Sequence, residues 1–553
     1  MKENKLKKDK RDYNVFLHTH TVSGIVISIG LFVCFFAGAF ALFREEIDYW
    51  QYNKKLPESY NTSLDYEKVI RAIEDDGYSL DHRSFNVRLF HKAPKEYLFV
   101  NVQAIDTSNA ILKEQVSVDS LNAVSKKKVG EFYSLIVNPD TYEVREWKRF
   151  QEERLLGEFI YRLHFFDQIP VVGIWIAGFV ALFFLFAILT GLVVHWKKVK
   201  SNFFTFRPKA SLKVLWTDGH TALGVIGLPF QFMYAVTGCI YGMSLLLLIP
   251  TVTLLYNGDQ EELFSDLLPG QKQYDVQEGT THSRVNINDL SKTFFSQQKF
   301  EGEIENASLQ IQNYGNKNAV ANFQVNIDDD NRFFASASTT FHLATGKQIS
   351  VKNLDDMHYA ERVFSASGKL HFASFGGYFV RVIYFILAIL TCYVIISGVM
   401  IWLNARQSKK YEHKKKFIRN VGTIYLGICM GLFPAIALAF ILLKILAVND
   451  MPLGGGYALF GLFWLAYTVY AAILKDYKKV TRRALGLGVV FGFFIPVVNG
   501  IFGEMWIWDA IASRTDAVIL VDMSWIGISI ITGLYLWNSR ATKKKENESA
   551  PTN

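Results

Sequence analysis

The chain has 553 residues, 50% of them hydrophobic and 15% aromatic, and a formal net charge of +8. That balance is too apolar for a soluble enzyme of this size. Several stretches of about 20 residues carry almost no charge, the length needed to cross ~30 Å of hydrocarbon, and the excess Lys and Arg lie in segments flanking them, so the charge suits loops at a lipid surface and calls for no nucleic-acid partner.

The amino-terminal stretch MKENKLKKDKRD is basic and leads into a first apolar run, 21–43. This run is longer than the apolar core of a signal peptide and ends in FREEIDYW without a cleavage site, so a retained anchor is expected. A polar segment of about 120 residues follows. It offers a helical stretch, DYEKVIRAIEDDGYS, and then SFNVRLF, YLFVNVQAI and FYSLIVNPDTYEVREW, whose alternating apolar residues predict half-buried strands. EERLLGEFIYRLHFF has the pattern of a short amphipathic interfacial helix. Spans at 171–195 and 220–250 come next, joined by the basic HWKKVKSNFFTFRPKASLK. A second polar segment carries NINDLSKTFFSQ and then ASLQIQN, AVANFQVNI, FFASAST and TFHLATGKQISV. NPDTYEV in the first segment and HLATGKQI in the second predict tight turns between strands. Spans at 376–403, 417–448, 454–474, 483–503 and 517–537 complete eight, with basic ARQSKKYEHKKK, KDYKKVTRR and SRATKKKEN between or after them.

The fold expected is an α-helical polytopic membrane protein of about eight spans with two extracytoplasmic α+β domains. The divisions are 1–43 (amino terminus and first span), 44–163 (first outer domain), 164–250 (spans two and three with the basic loop), 251–370 (second outer domain), 371–405 (span four) and 406–553 (a four-span carboxy-terminal module and tail). The Lys/Arg bias puts both termini and the basic loops in the cytoplasm and both polar segments outside.

The spans repeat. His20 and His220 are each followed by Thr, by Gly at plus four (Gly24, Gly224) and by Gly at plus eighteen (Gly38, Gly238). His164 in RLHFF and His371 in KLHFA each precede a span and have Gly at plus twenty-seven, Gly191 and Gly398. The unit is therefore expected to be span–domain–span, used twice. At 3.6 residues per turn, plus four and plus eighteen fall near the histidine's own face. A histidine with glycines on its stripe suits a porphyrin ligated at one end and lying against the helix; it also suits plain helix packing. His20 and His220 fall near the cytoplasmic face and His164 and His371 near the outer one. Low-spin haem b takes two axial imidazoles, so two haems would make a two-step electron path. His18 and His195 stand near His20 and remain alternatives for the cytoplasmic-side ligand.

These residues resemble the PepSY-associated transmembrane helix family, which includes bacterial inner-membrane ferric-siderophore reductases. The likeness covers about residues 15–405 and rests on His20 with Gly24, RLH at His164, RPKASLKVLWTDGHTALG around His220, KLHFASFGG at His371 and the VNPDTYEV and ATGKQI turns. It implies haem b at His20, His220, His164 and His371, two PepSY-like domains in the periplasm, and reduction of a ferric siderophore or other ferric chelate held between them. One departure stands: the family usually has Arg-Trp after the first histidine, and here Thr21-Val22 follows, which leaves the first haem's placement open.

No Gly-rich phosphate loop or dinucleotide fingerprint occurs, so the electron donor is expected to be a separate cytoplasmic reductase or a membrane quinol. Asp522, Asn499 and Glu504 are polar groups at the last two spans, able to pair with each other or with Lys444, or to form a proton or quinol site. Cys34, Cys239, Cys392 and Cys429 lie in apolar runs without C-x-x-C spacing, so neither a disulfide framework nor a zinc site is expected. The remaining histidines, His82, His91, His282, His342 and His358, are expected at the surface. Two other functions fit the same sequence: a non-enzymatic PepSY membrane protein that binds a periplasmic peptide or protease, and a metallophore permease built on the last four spans.

Overall fold

The computed structural model describes residues 2–56, 64–92, 95–103, 131–147, 154–195, 207, 212–267, 273–276, 284–297, 303–328, 333, 335–354 and 356–548. His282, residues 329–332 and most of the basic loop after the second span lie outside them. The chain forms two compact units: Met1–Leu56 with Glu153–Leu247 and Leu370–Asn553, and Pro57–Glu152 with Leu248–Lys369.

The first unit is helical. Its elements are α1 (Lys2–Ala41) and α2 (Arg44–Gln51), then, after α3 (Tyr66–Asp75) of the other unit, α4 (Leu156–His164), α5 (Val172–His195), α6 (Leu212–Ile226) and α7 (Leu228–Gly242). α8 (Ser244–Leu255) leads out of it; α9 (Gln260–Leu267) and α10 (Ile287–Gln297) belong to the second unit, and α11 (Tyr359–Phe372) leads back. There follow α12 (Gly377–Ala405), α13 (Lys415–Val448), α14 (Gly454–Leu474), α15 (Tyr477–Phe502), α16 (Ile507–Ser513) and α17 (Asp516–Glu548).

Among the described residues, seven helices are long and apolar enough to cross a membrane, and an eighth crossing results if the bent pair 214–226 and 228–242 counts as one. The third span expected at 220–250 is thus not one straight helix. It bends by 70° at Gly227 and breaks again at Met243, so 244–255 forms a separate apolar helix. The first bend has a local cause: Pro229 stands in the first turn of α7, where its missing N–H and its ring interrupt the helical ladder.

The second unit is built around one eight-stranded antiparallel sheet, with β1 (Phe85–Lys92), β2 (Lys95–Val102), β3 (Tyr133–Val137), β4 (Val144–Glu146), β5 (Glu303–Gln312), β6 (Val320–Asp328), β7 (Ser336–His342) and β8 (Gln348–Lys352). Spatial order is β4-β3-β2-β1-β5-β6-β7-β8. Each polar segment supplies a helix and then four strands. They do not form separate domains with a gap between them. β1 pairs with β5 antiparallel, Phe85 opposite Ile311 and Val87 opposite Leu309. This seam satisfies two sheet edges that separate domains would leave open. One core then serves both segments: Val69, Ile70 and Ile73 of α3 and Leu290 and Phe294 of α10 pack with Val87, Leu98, Val100, Leu309, Phe323 and Val325. The expected turns are present at 138–143, where Asn138 Oδ1 accepts the N–H groups of Asp140 and Thr141, and at 343–347, where Gly346 has φ +69°.

The seam also constrains the crossing count. Segments that hydrogen-bond to each other lie on one side of the bilayer, so the chain between them crosses an even number of times. α5 is one crossing, and the bent α6–α7 pair is the return.

Candidate functional site

Four histidines of the helical unit come together as two pairs. His20 on α1 faces His220 on α6, with ring centroids 6.1 Å apart and ring planes at 70°. His164, the last residue of α4, faces His371 on α11, also at 6.1 Å, with planes at 58°. His18 is exposed on another side of α1 and does not join the first pair; two residues turn a helix by about 200°. His195 ends α5, and its side chain lies outside the described residues.

Each of the four rings has a fixed tautomer. His20 Nδ1 donates to the carbonyl of Ala187 at 2.8 Å, His164 Nδ1 to that of Cys34 at 2.6 Å, and His220 Nδ1 to that of Val394 at 2.9 Å. A carbonyl only accepts, so these nitrogens carry the proton. His371 Nδ1 lies 2.8 Å from Thr237 Oγ1, whose own proton goes to the carbonyl of Met233 at 2.8 Å; the hydroxyl therefore accepts from His371. In all four neutral imidazoles Nε2 keeps the lone pair that ligates metals. A fixed partner on the second nitrogen is the usual device for orienting a metal-binding histidine. Burial lowers the pKa of both His164 and His371, which keeps those imidazoles unprotonated.

The glycines do two different things. A Cβ at Gly24 or Gly224 would meet nothing within 4 Å. At Gly38 it would stand 2.8 Å from His164 Nδ1, and at Gly238 3.0 Å from the Cβ of Ala181. The expected stripe is therefore split: Gly24 and Gly224 border open space, while Gly38 and Gly238 face protein. The reason is rise: eighteen residues climb about 27 Å, so Gly38 has reached the level of the other histidine pair. Gly191 and Gly398 work the same way in reverse. A Cβ there would stand 3.0 Å from the ring of His20 and of His220, respectively. The two pairs are thus about 27 Å apart along α1, close to the thickness of a hydrocarbon core.

The helices around the pairs are pinned by polar contacts. Asp218, two residues before His220, takes a bidentate contact from Arg207 at 2.9 Å on both arms. Tyr234 donates to the carbonyl of His371 at 2.9 Å and packs its ring 5.0 Å from the imidazole. On the other side, α4 begins against α2: Gln51 Oε1 accepts from Leu156 N at 2.8 Å and Asp48 Oδ1 from Gly157 N at 2.7 Å.

The α2 helix is in turn tied to the last spans. Trp50 Nε1 donates to Asp522 Oδ1 at 2.8 Å and Asn499 Nδ2 to Asp522 Oδ2 at 3.0 Å. Lys444 Nζ donates to the Trp50 carbonyl and to Asn53 Oδ1, both at 2.7 Å. Trp50, Gln51, Lys444, Asn499 and Asp522 are all fully buried. Glu504 is exposed beyond α15 and takes no part. Sequence reasoning picked out Asp522, Asn499 and Lys444 but missed Trp50 and Gln51, which lie in the polar-looking REEIDYWQ and gave no signal. It also placed His82 at the surface, whereas His82 is buried, with φ +57° and its N–H bonded to the Tyr314 carbonyl at 2.8 Å.

No group of three or more His, Cys, Asp or Glu side chains suited to a metal ion occurs among the described residues. Fold and site together define a polytopic helical membrane protein with two facing histidine pairs at two depths. The chain belongs to the PepSY-associated TM region family, whose model matches residues 17–405. No curated protein matches it. The family match ends with α12, so the last four spans lie outside it.

Proposed function

We propose that the protein is a dihaem b oxidoreductase of the bacterial inner membrane that passes electrons to a ferric siderophore or other ferric chelate in the periplasm, aiding iron release and uptake. The observation that carries this reading is the two facing imidazole pairs, each ring with its Nδ1 proton committed. Two imidazoles on one iron, each with a nitrogen ~2 Å from the metal, put their ring centres about 6 Å apart. Both pairs stand at 6.1 Å. A haem would bring its own nitrogen ligands, so two protein ligands per site, His20 with His220 and His164 with His371, would suffice to hold it. The open space beside Gly24 and Gly224 is of the kind a flat macrocycle needs.

Haem b held in this way supplies one-electron chemistry at two depths. The protein's part is to fix the imidazole planes through Ala187, Cys34, Val394 and Thr237, and to keep Gly38, Gly191 and Gly398 small so that the rings can approach. The pair His20/His220 lies on the side of the basic loops, where a cytoplasmic reductase or a membrane quinol donates. The pair His164/His371 lies on the side of the acceptor. In this reading the two halves of the core are repeats of one span–domain–span unit, and their PepSY-like segments have fused into one sheet, so the chelate docks on a joint unit rather than in a gap between two domains.

The test is an absorption spectrum of the detergent-purified protein, oxidised and then dithionite-reduced, with haem counted per chain. Sharp reduced bands at about two haems per chain are expected. His164→Ala or His371→Ala removes one haem and abolishes external ferric reduction; His20→Ala or His220→Ala removes the other. A colourless protein from haem-replete cells, or full haem in all four variants, sinks the reading and leaves the pairs as packing in a binding protein or permease.

A further inference from the structure

The last four spans contain a second place built to hold a ligand. α14 and α15 form a hairpin that turns at Lys475, which has φ +54°, and Asp476, whose carboxylate caps α15 by accepting from Lys479 N at 3.0 Å. Beside this turn the two helices splay and leave a cleft of about 700 Å³. Its wall is apolar, with Phe463, Tyr467 and Tyr470 from α14 and Gly486 from α15. Arg482 and Arg483 line its basic end. Toward the middle of the hairpin the rings of Phe463 and Phe491, 5.8 Å apart, bring the helices back together.

The lining chemistry selects the occupant. Tyr467 has given its hydroxyl to the Val480 carbonyl at 2.6 Å, so its ring offers the cleft an apolar face. A Cβ at Gly486 would meet nothing within 4 Å, so the cleft is open there. Neither Arg482 nor Arg483 has an acidic partner among the described residues. Arg483 only leans over the Tyr470 ring, at 5.5 Å. The turn itself, KDYKKVTRR, carries five cations and one carboxylate. An apolar slot in the depth of a bilayer, with unpaired guanidinium groups where the headgroups lie, matches a molecule that is a hydrocarbon chain at one end and an anion at the other. Basic pockets between membrane helices hold anionic lipid headgroups in this manner, and the guanidinium fork matches a phosphate.

We propose that the cleft between α14 and α15 is a binding site for one anionic phospholipid, its phosphate on Arg482 and Arg483 and an acyl chain against Phe463, Tyr467 and Gly486. The site is independent of the histidine pairs, and its failure would leave the haem reading untouched.

The experiment is native mass spectrometry of the full chain released from mild detergent, titrated with phosphatidylglycerol or with phosphatidylcholine of the same chains. One phosphatidylglycerol should persist where phosphatidylcholine is lost. The double variant Arg482→Gln, Arg483→Gln should weaken the phosphatidylglycerol about 30-fold. Gly486→Leu should displace it with both arginines intact, since Gly486 lines the cleft and a Cβ there meets no protein atom within 4 Å. Gly461→Leu, at an α14 glycine likewise open but not lining the cleft, should leave it bound. Equal retention of both lipids, unchanged retention in both cleft variants, or a quinone found in the cleft instead would overturn the proposal.

Discussion

At the scale of single residues, small side chains decide where the imidazoles can go. Gly38 and Gly398 each sit under a histidine ring from another helix, with room for a hydrogen and nothing larger. Gly38→Val should therefore push His164 out of its pair and, if the proposed dihaem reading holds, lower the haem count from about two to about one per chain, while Gly398→Val should do the same through His220. Haem quantitation distinguishes the two through which reduced band is lost; unchanged haem in both variants would mean that the rings do not need this approach. A second residue-scale prediction lies in the sheet unit. Glu67 takes Arg284 Nη2 and the N–H of Ile287, each at 2.7 Å. Burial alone would raise its carboxyl, but Arg284 and that N–H hold it below the ordinary carboxylate range. A depressed value stabilises the fold fully above the unfolded carboxyl value of about 4.3 and loses that contribution as pH falls through the folded value. Hydrogen-exchange protection of α3 and α10, corrected for the intrinsic rate at each pH, should thus fall in acid, and Glu67→Gln should flatten that acid dependence. The four histidines were legible in the sequence because their offsets recur. Their partners were not: backbone carbonyls at Ala187, Cys34 and Val394 carry no residue signature, and Gly38 looked like part of the His20 stripe when it lies against His164 of the other pair.

At the scale of elements, α2 is the joint of the helical unit. One face holds the start of α4 through Asp48 and Gln51, and the other is held by Asp522 and Lys444 of the last spans. At Gly157 the backbones are so close that a Cβ would fall 2.1 Å from the Arg44 carbonyl oxygen. Since α4 ends in His164, the carboxy-terminal module bears on the His164/His371 pair through α2 and α4. Asp522→Ala strands Trp50 Nε1 and Asn499 Nδ2 in the interior, at a cost of about 3 kcal/mol. Under the proposed dihaem reading it should shift the low-temperature spectrum and reduction potential of the haem at His164/His371 and leave the one at His20/His220 in place; Asp522→Asn should restore most of the wild-type signal. Equal effects on both haems would show general unfolding instead. Span positions were readable from apolar length alone. The bend at Gly227 was not taken from the sequence, although Gly-Leu-Pro inside an apolar run is its physical cause. α2 escaped notice because three of its buried residues, Glu46, Asp48 and Gln51, are of types usually found in water.

At the scale of the molecule, the sheet joins segments far apart in the chain. Strand patterns and turns could be read locally, since alternation has a period of two. The β1–β5 seam could not, because pairing across more than two hundred residues leaves no local trace. The seam can be trapped: Asn86 and Gln310 are directly opposed, so Cys at both positions should form a disulfide in an oxidising compartment. After proteolysis between them, a linked product on non-reducing gels from whole cells is expected, and its absence would argue against the register or against an oxidising side.

That seam also fixes an order of events during synthesis. Val87 cannot find Leu309 until α5 and the bent α6–α7 pair have entered the bilayer and the second polar segment has reached the same side as the first. Until then β1 is an open edge on an unfinished core, at a cost in loop closure that non-local contacts have yet to offset. The sheet unit is complete only when the polar segment between the α6–α7 pair and α12 has been delivered to the same side as the first. A nascent chain with the wrong topology would carry an exposed strand edge that proteases and chaperones on that side can recognise.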